Sequence, residues 1–295
     1  MENLEIKEEP LNIDEVKLES QETVENNQSL VKDFFVKENV NSTKELASLF
    51  GQSEVELQKE FGSYKAKKIY RKLGLFLDVT SLVQEEVIAK LKLLPKYGFY
   101  GVTAQPLVVP FIKSALNGSG VVVRALISYP YGLDTYKTLK VAVKQALEKG
   151  ADELLLTISP YEIKNFDGKD LYKKINKLKK LSRNKMLIIA LDGENLTLTQ
   201  LDGIISHLAE AGVDGVSIKC EGVDKNLIES AVQSANGKVK VELISNICSA
   251  EDAVSVMLSG INLLTTTNCE QVATDLNKKI NTVGCQSPET LDNNP

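Results

Sequence analysis

The sequence predicts an α/β protein of the (β/α)8 TIM-barrel class with an N-terminal helical extension. Three observations carry this. Short apolar runs rich in Val, Ile and Leu alternate about eight times with amphipathic helical stretches, the pattern of parallel strands joined by crossover helices. Several helical stretches end at a glycine that opens the next strand. No G-x-G-x-x-G follows the first strand and no G-x-x-x-x-G-K-[ST] occurs anywhere, so the usual phosphate-binding devices of an open doubly wound sheet, the competing architecture, are missing.

Residues 1–35 are rich in Glu, Asn, Gln and Ser with isolated apolar residues, too little to offset the entropy of ordering, and predict a disordered acidic tail. Over 36–72, Leu46, Leu49, Phe50, Leu57, Phe61 and Ile69 recur at helical spacing with Gly51 and Gly62 as breaks, which predicts two or three short helices. The barrel is expected over 73–281. Its strands are placed at Leu75–Val79, Gly101–Ala104, Val121–Ser128, Glu153–Ile158, Met186–Leu191, Gly215–Lys219, Lys238–Ile244 and Leu263–Thr267. Helices are placed at Gln84–Tyr97, Thr135–Lys149, Gly168–Leu181, Thr199–Ala211, Asp224–Ala235 and Ala250–Ser259. The αβ turns are Gly150-Ala151-Asp152, Gly212-Val213-Asp214 and Gly260-Ile261-Asn262, where glycine takes the left-handed conformation without a Cβ penalty. Residues 282–295 are polar and predict a flexible tail.

Lys and Arg number 35 against 40 Asp and Glu, a net charge of −5 that gives no field for nucleic acid or an anionic membrane. Met1–Pro10 is acidic and lacks an apolar run, and the four cysteines are far apart with no C-x-x-C pair. Both features predict a cytoplasmic protein with reduced thiols. Cys220, Cys248 and Cys269 fall just beyond three successive strands, a set that could hold zinc, yet separated cysteines are usually small buried hydrophobes, so no metal is assigned.

The order of motifs resembles the deoxyribose-phosphate aldolase family. The likeness runs from Leu75-Phe-Leu-Asp78-Val-Thr80-Ser-Leu82 through Tyr97-Gly-Phe-Tyr-Gly-Val-Thr-Ala-Gln-Pro106 with Val109-Pro110, and Ser128-Tyr-Pro-Tyr-Gly132. It continues through Lys144–Glu153, Ala209-Glu-Ala-Gly-Val-Asp214 and Ser249-Ala-Glu-Asp-Ala253. The resemblance implies class I aldol cleavage of a phosphosugar, in which a lysine of lowered pKa forms a Schiff base, a second lysine supplies a neighbouring cation and an aspartate relays the proton; no cofactor is implied. Carried onto this chain, the Schiff-base position falls on Ser217, the second lysine on Glu242, the relay aspartate on Leu155, a further lysine on Met186 and a glutamate on Ala190. The resemblance therefore implies a catalytically degenerate barrel that binds a ligand or assembles, with a small phosphosugar, a second copy of the chain or a protein as candidate partners.

The alternative is an active aldolase whose amine has moved. Strand parity aims Lys219 inward, one step nearer the mouth than Ser217, and makes it the candidate nucleophile with Asp78 assisting proton transfer. The same parity points Lys240 and Glu242 inward, and a partly buried Lys219–Glu242 ion pair is the competing structural reading. Thr80, Thr103, Ser245, Asn246, Thr267 and Asn268 are the candidate substrate-binding residues. Arg124 is expected to line the interior or to pair with an acid. His207, the only histidine, is expected to pack on a helix surface, and the lysines of Lys169–Lys180 to form a solvated face.

Overall fold

The computed structural model describes residues 69–284 except 81, 166 and 167. The expected acidic tail and most of the 36–72 extension lie outside the described residues, as do 285–295. In chain order the elements are β1 (Leu73–Phe76), α1 (Gln84–Tyr97), β2 (Gly101–Ala104), α2 (Val109–Ala115), β3 (Val122–Ile127), α3 (Tyr136–Glu148) and β4 (Glu153–Thr157). There follow α4 (Pro160–Asn165), α5 (Gly168–Leu181), β5 (Met186–Asp192), α6 (Leu198–Glu210), β6 (Gly215–Lys219), α7 (Lys225–Ala235), β7 (Lys240–Ile244), α8 (Ala250–Leu258), β8 (Leu263–Thr266) and α9 (Cys269–Gly284). All eight strands pair in parallel and close in sequence order, β8 returning to β1.

The expected strands are present with shifted ends. Residues 73–76 of β1 are held between Gly101–Thr103 and Leu264–Thr266, so the strand starts and stops earlier than its apolar run suggests, and Asp78 lies in the loop beyond it. Helices α2, α4 and α9 were not foreseen; the first two are short and the last is mostly polar.

Each αβ turn noted in the sequence contains a device beyond its glycine. Gly150, Gly212 and Gly260 have φ of 91°, 78° and 94°. Two residues later Asp152, Asp214 and Asn262 accept from the backbone N–H of Val123, Leu187 and Val241, each on the strand preceding the turn. The G-x-[DN] repeat thus ties the base of β3, β5 and β7 to the turns that lead into β4, β6 and β8. Helix starts are fixed by side chains too: Thr135, Thr197, Asp224 and Ser249 accept the N–H three residues on.

Outward-facing strand residues such as Val123, Leu154, Ile189, Val216 and Leu243 pack beneath the helices in one continuous core. Helix α5 buries Leu171, Ile175 and Leu178 against it. Its lysines are not wholly a solvated face: Lys174 pairs with Glu162 at 2.6 Å and Lys179 with Asp214 at 2.5 Å. His207 lies on the surface of α6, its Nδ1 2.6 Å from the Gly203 carbonyl, and its ring would meet a Cβ on Gly168. Among the described residues, no helix is long and apolar enough to cross a membrane.

Candidate functional site

Inside the barrel a second, smaller apolar cluster joins Phe76, Leu126, Leu155, Ile188, Ala190 and Ile244, with Tyr129 and Met186 against it. Three positions to which the resemblance assigns ionisable machinery, Leu155, Ala190 and Met186, belong to this plug. Ser217 stands where the resemblance places the Schiff-base lysine. It is fully buried, and its hydroxyl has no hydrogen-bond partner. On the neighbouring strands its register partners are Ala190 and Glu242. Thr157, in register with Ala190 on the other side, also carries an unpartnered buried hydroxyl.

Glu242 belongs to a buried ion network. Arg124 Nη1 donates to both Glu242 oxygens at 2.7 and 2.6 Å, while its Nε and Nη2 donate to Glu153 Oε2 at 3.1 and 2.9 Å. The Thr265 hydroxyl donates to Glu242 at 2.5 Å, and the Tyr100 hydroxyl donates to Glu153. Burial disfavours the charged guanidinium, but Glu242 and Glu153 together outweigh it and leave the Arg124 pKa above its ordinary value. Burial, reinforced by the bond to Glu153, pushes the Tyr100 phenol up as well.

This network corrects the expected Lys219–Glu242 pair. Lys219 is in register with Ile244 and Asp192, one step beyond Glu242, which Arg124 claims from across the barrel. Lys219 is half-buried at the end of β6 and has no hydrogen bond or ion pair with any described residue. The reading that Arg124 pairs with an acid is the one the structure bears out. Sequence reasoning missed its joint use by two acids, although Arg124, Glu153 and Glu242 all stand at inward-parity positions, which was the available signal.

At the C-terminal mouth Phe76 and Tyr129 pack with ring centroids 5.2 Å apart. Burial raises the Tyr129 phenol pKa, with Asp78 and Asp192 adding to the shift. Asp78 and Lys219 share no hydrogen bond or ion pair. Asp78 Oδ1 accepts from the Thr80 backbone and hydroxyl at 3.0 and 2.7 Å, which hold its carboxyl below the usual range and close the loop after β1. Thr103 is buried in β2, in register with Phe76 and Arg124. Gly132 lies so close to the end of β4 that a Cβ there would meet the Ser159 nitrogen at 2.4 Å.

The loops after β6, β7 and β8, which carry the candidate substrate-binding residues Ser245, Asn246, Thr267 and Asn268, are sewn to one another. Ser245 Oγ donates to the Gly222 carbonyl at 2.7 Å and Asn246 Oδ1 accepts from the Gly222 N–H at 3.0 Å. Asn268 Nδ2 donates to the Asn246 carbonyl at 2.9 Å, and the Asn268 N–H donates to Thr266 Oγ1 at 3.1 Å. The Glu221 N–H donates to the Glu194 carboxylate at 2.7 Å. Three backbone donors of these loops, those of Glu221, Gly222 and Asn268, are therefore engaged and not open to an anion, one of them by an acid. Thr267 is exposed and enters none of these bonds. Cys220 and Cys269 are buried and Cys248 is exposed, and no three metal-ligating side chains gather among the described residues.

Curated relatives of the chain are deoxyribose-phosphate aldolases. The Caldicellulosiruptor saccharolyticus enzyme is 24% identical over 209 residues, covering 67% of this chain and 95% of its own. The Metamycoplasma hominis enzyme is 24% identical over 190 residues, covering 63% and 84%. Over most of the barrel the chain is similar in sequence to deoxyribose-phosphate aldolases. No protein-family model matches it. Among solved structures, the tetrameric deoxyribose-phosphate aldolase of Aeropyrum pernix superposes with a TM-score of 0.68 at 18% identity, over 80% of this chain and 99% of its own, a likeness of fold.

Proposed function

We propose that this deoxyribose-phosphate-aldolase-like barrel is catalytically degenerate at the family position and works in the cytoplasm by binding or assembly. One observation carries the reading: a fully buried serine, Ser217, stands where the Schiff-base lysine belongs, between Ala190 and a Glu242 already neutralised by Arg124. No amine is available there to attack a carbonyl. The engaged backbone donors of Gly222, Glu221 and Asn268 argue in the same direction against a phosphate. Support for assembly comes from Leu107, Tyr131, Leu133 and Tyr161. These exposed residues lie in the segments that follow β2, β3 and β4 at one end of the barrel, Tyr161 in α4. Self-association belongs to the reading, since the Aeropyrum pernix relative is tetrameric.

One observation favours a second reading, an aldolase with a relocated amine: Lys219 is inward by parity and unpartnered among the described residues. Glu242 is held by Arg124 and does not tie Lys219 up in an ion pair. Borohydride reduction with deoxyribose 5-phosphate or acetaldehyde, read by intact mass, decides between the two. The unmodified mass is expected; an adduct present in the wild type and absent from Lys219→Ala would overturn the degenerate reading.

A further inference from the structure

A cavity of about 230 Å³ opens at the N-terminal mouth of the barrel, the end opposite the βα loops. Its walls come from strand starts, with Met186, Ile188 and Leu263 presenting apolar surface, and its floor is the buried Arg124–Glu242 pair. The polar groups at the rim are Arg71, Lys240 and Asn262.

Among the described residues, these rim groups are donors without a strong acceptor. Arg71 has no hydrogen bond or ion pair with any described residue. The recorded contact of the Lys240 ammonium is the Met186 thioether at 3.9 Å, a weak acceptor. Asn262 accepts the Val241 N–H with its side-chain oxygen, and its amide nitrogen has no partner among the described residues. The floor, by contrast, is satisfied: Arg124, Thr265 and Tyr100 together occupy the Glu153 and Glu242 oxygens, so the interior calls for no further polar partner. Counting Glu153 behind Arg124, three cations meet two carboxylates, and the surplus positive charge lies at the rim.

We propose that this N-terminal mouth is a binding site for a small organic anion, a carboxylate with an apolar body no larger than about one ring. Its carboxylate lies between Arg71 and Lys240, and its body enters against Met186, Ile188 and Leu263. The volume is below the range of about 300–1,000 Å³ typical of drug-sized ligands, which limits the body to that size. The site is distinct from Lys219 and from the loops after β6 to β8, which lie at the other end of the barrel.

The test uses the full chain and benzoate as probe, followed by calorimetry and by amide chemical shifts. Saturable binding in the millimolar range or tighter is expected, with shifts concentrated at the starts of β1, β5, β7 and β8. Arg71→Glu and Lys240→Glu change exposed side chains, leave the core intact, and should each weaken benzoate by about tenfold or more. Lys219→Ala should bind as the wild type does, and benzylamine, the same body with the opposite charge, should not bind. Absence of saturable benzoate binding, equal binding of benzylamine, shifts confined to the C-terminal loops, or indifference to both charge reversals would each overturn the proposal.

Discussion

Replacing Arg124 by methionine keeps most of the side-chain volume and removes the one cation shared by Glu153 and Glu242. Arg124 is 3% exposed, and the two glutamates are 5% and 3% exposed, so water cannot take over its role. Removing one partner of a buried pair costs about 3–5 kcal/mol, because the surviving charge stays desolvated. Here two carboxylates are stranded together, which places the loss at the upper end. For a domain of this size each kcal/mol moves the midpoint by about 2–4 °C, so thermal unfolding should fall by roughly 10–20 °C. Urea unfolding should show a lower midpoint with an unchanged slope.

The sign with pH is fixed by the same physics. Buried carboxyls without a cation have folded pKa values raised above the unfolded value of about 4.3. The penalty is therefore absent below that value and grows as pH rises through the shifted folded pKa, so the deficit of the variant should shrink on acidification toward about pH 4. The triple change Arg124→Met, Glu153→Gln, Glu242→Gln removes the charges together and should recover most of the loss. A deficit under about 1 kcal/mol for Arg124→Met, independent of pH, would refute the view that this network is ionised and buried.

Two further outcomes follow from single buried groups. Ser217→Ala removes a hydroxyl that pays desolvation without a bond, so equilibrium unfolding should show no loss, or a gain of up to about 1 kcal/mol; a clear loss would mean that the hydroxyl has a partner. Burial pushes the Cys269 thiol up to about 12, so the native state keeps a proton that the unfolded chain releases near about 8.5. Cys269 should therefore subtract stability as pH rises between those values, and iodoacetamide mapping at pH 8 should label exposed Cys248 before buried Cys220 and Cys269. Labelling of Cys269 in the native protein at the rate of Cys248 would contradict its burial.

Much of the barrel was legible because its signals are local. A run such as Met186–Leu191 is apolar at nearly every position, as a strand covered on both faces must be, and amphipathic stretches such as Gln84–Tyr97 carry helical periodicity on their own. Helix α4, just six residues long, is too brief for any period to register. Strand ends are also non-local: β1 stops at Phe76 because its neighbours stop pairing there, although Leu77 and Val79 continue the apolar pattern.

At the candidate site, parity along a strand placed Ser217, Lys219, Lys240 and Glu242 on the inward face, and Arg124 was expected to line the interior or to pair with an acid. It did not report which of them meet. Adjacent-strand reasoning joined Lys219 to Glu242, but β6 and β7 pair Ser217 with Glu242, and Arg124 reaches that carboxylate from β3 across the interior. Likewise Ser245, Asn246 and Asn268 read as free polar groups at strand ends until the loops are brought side by side and found to bond one another.

The sequence by itself determined the alternation of strand and helix and the turn glycines with the Asp or Asn two residues on, and through the resemblance it led to the expectation that Ser217 and Glu242 stand at the family's lysine positions. Each of these resides in the identity and spacing of nearby residues. Only the tertiary structure decided that Arg124 neutralises Glu242, that Lys219 has no partner among the described residues, that Ser245, Asn246 and Asn268 bond neighbouring loops, and that a cation-rimmed cavity opens at the opposite end. Those are matters of register and distance across a closed barrel, where residues more than a hundred positions apart in the chain, such as Arg124 and Glu242, share a hydrogen bond.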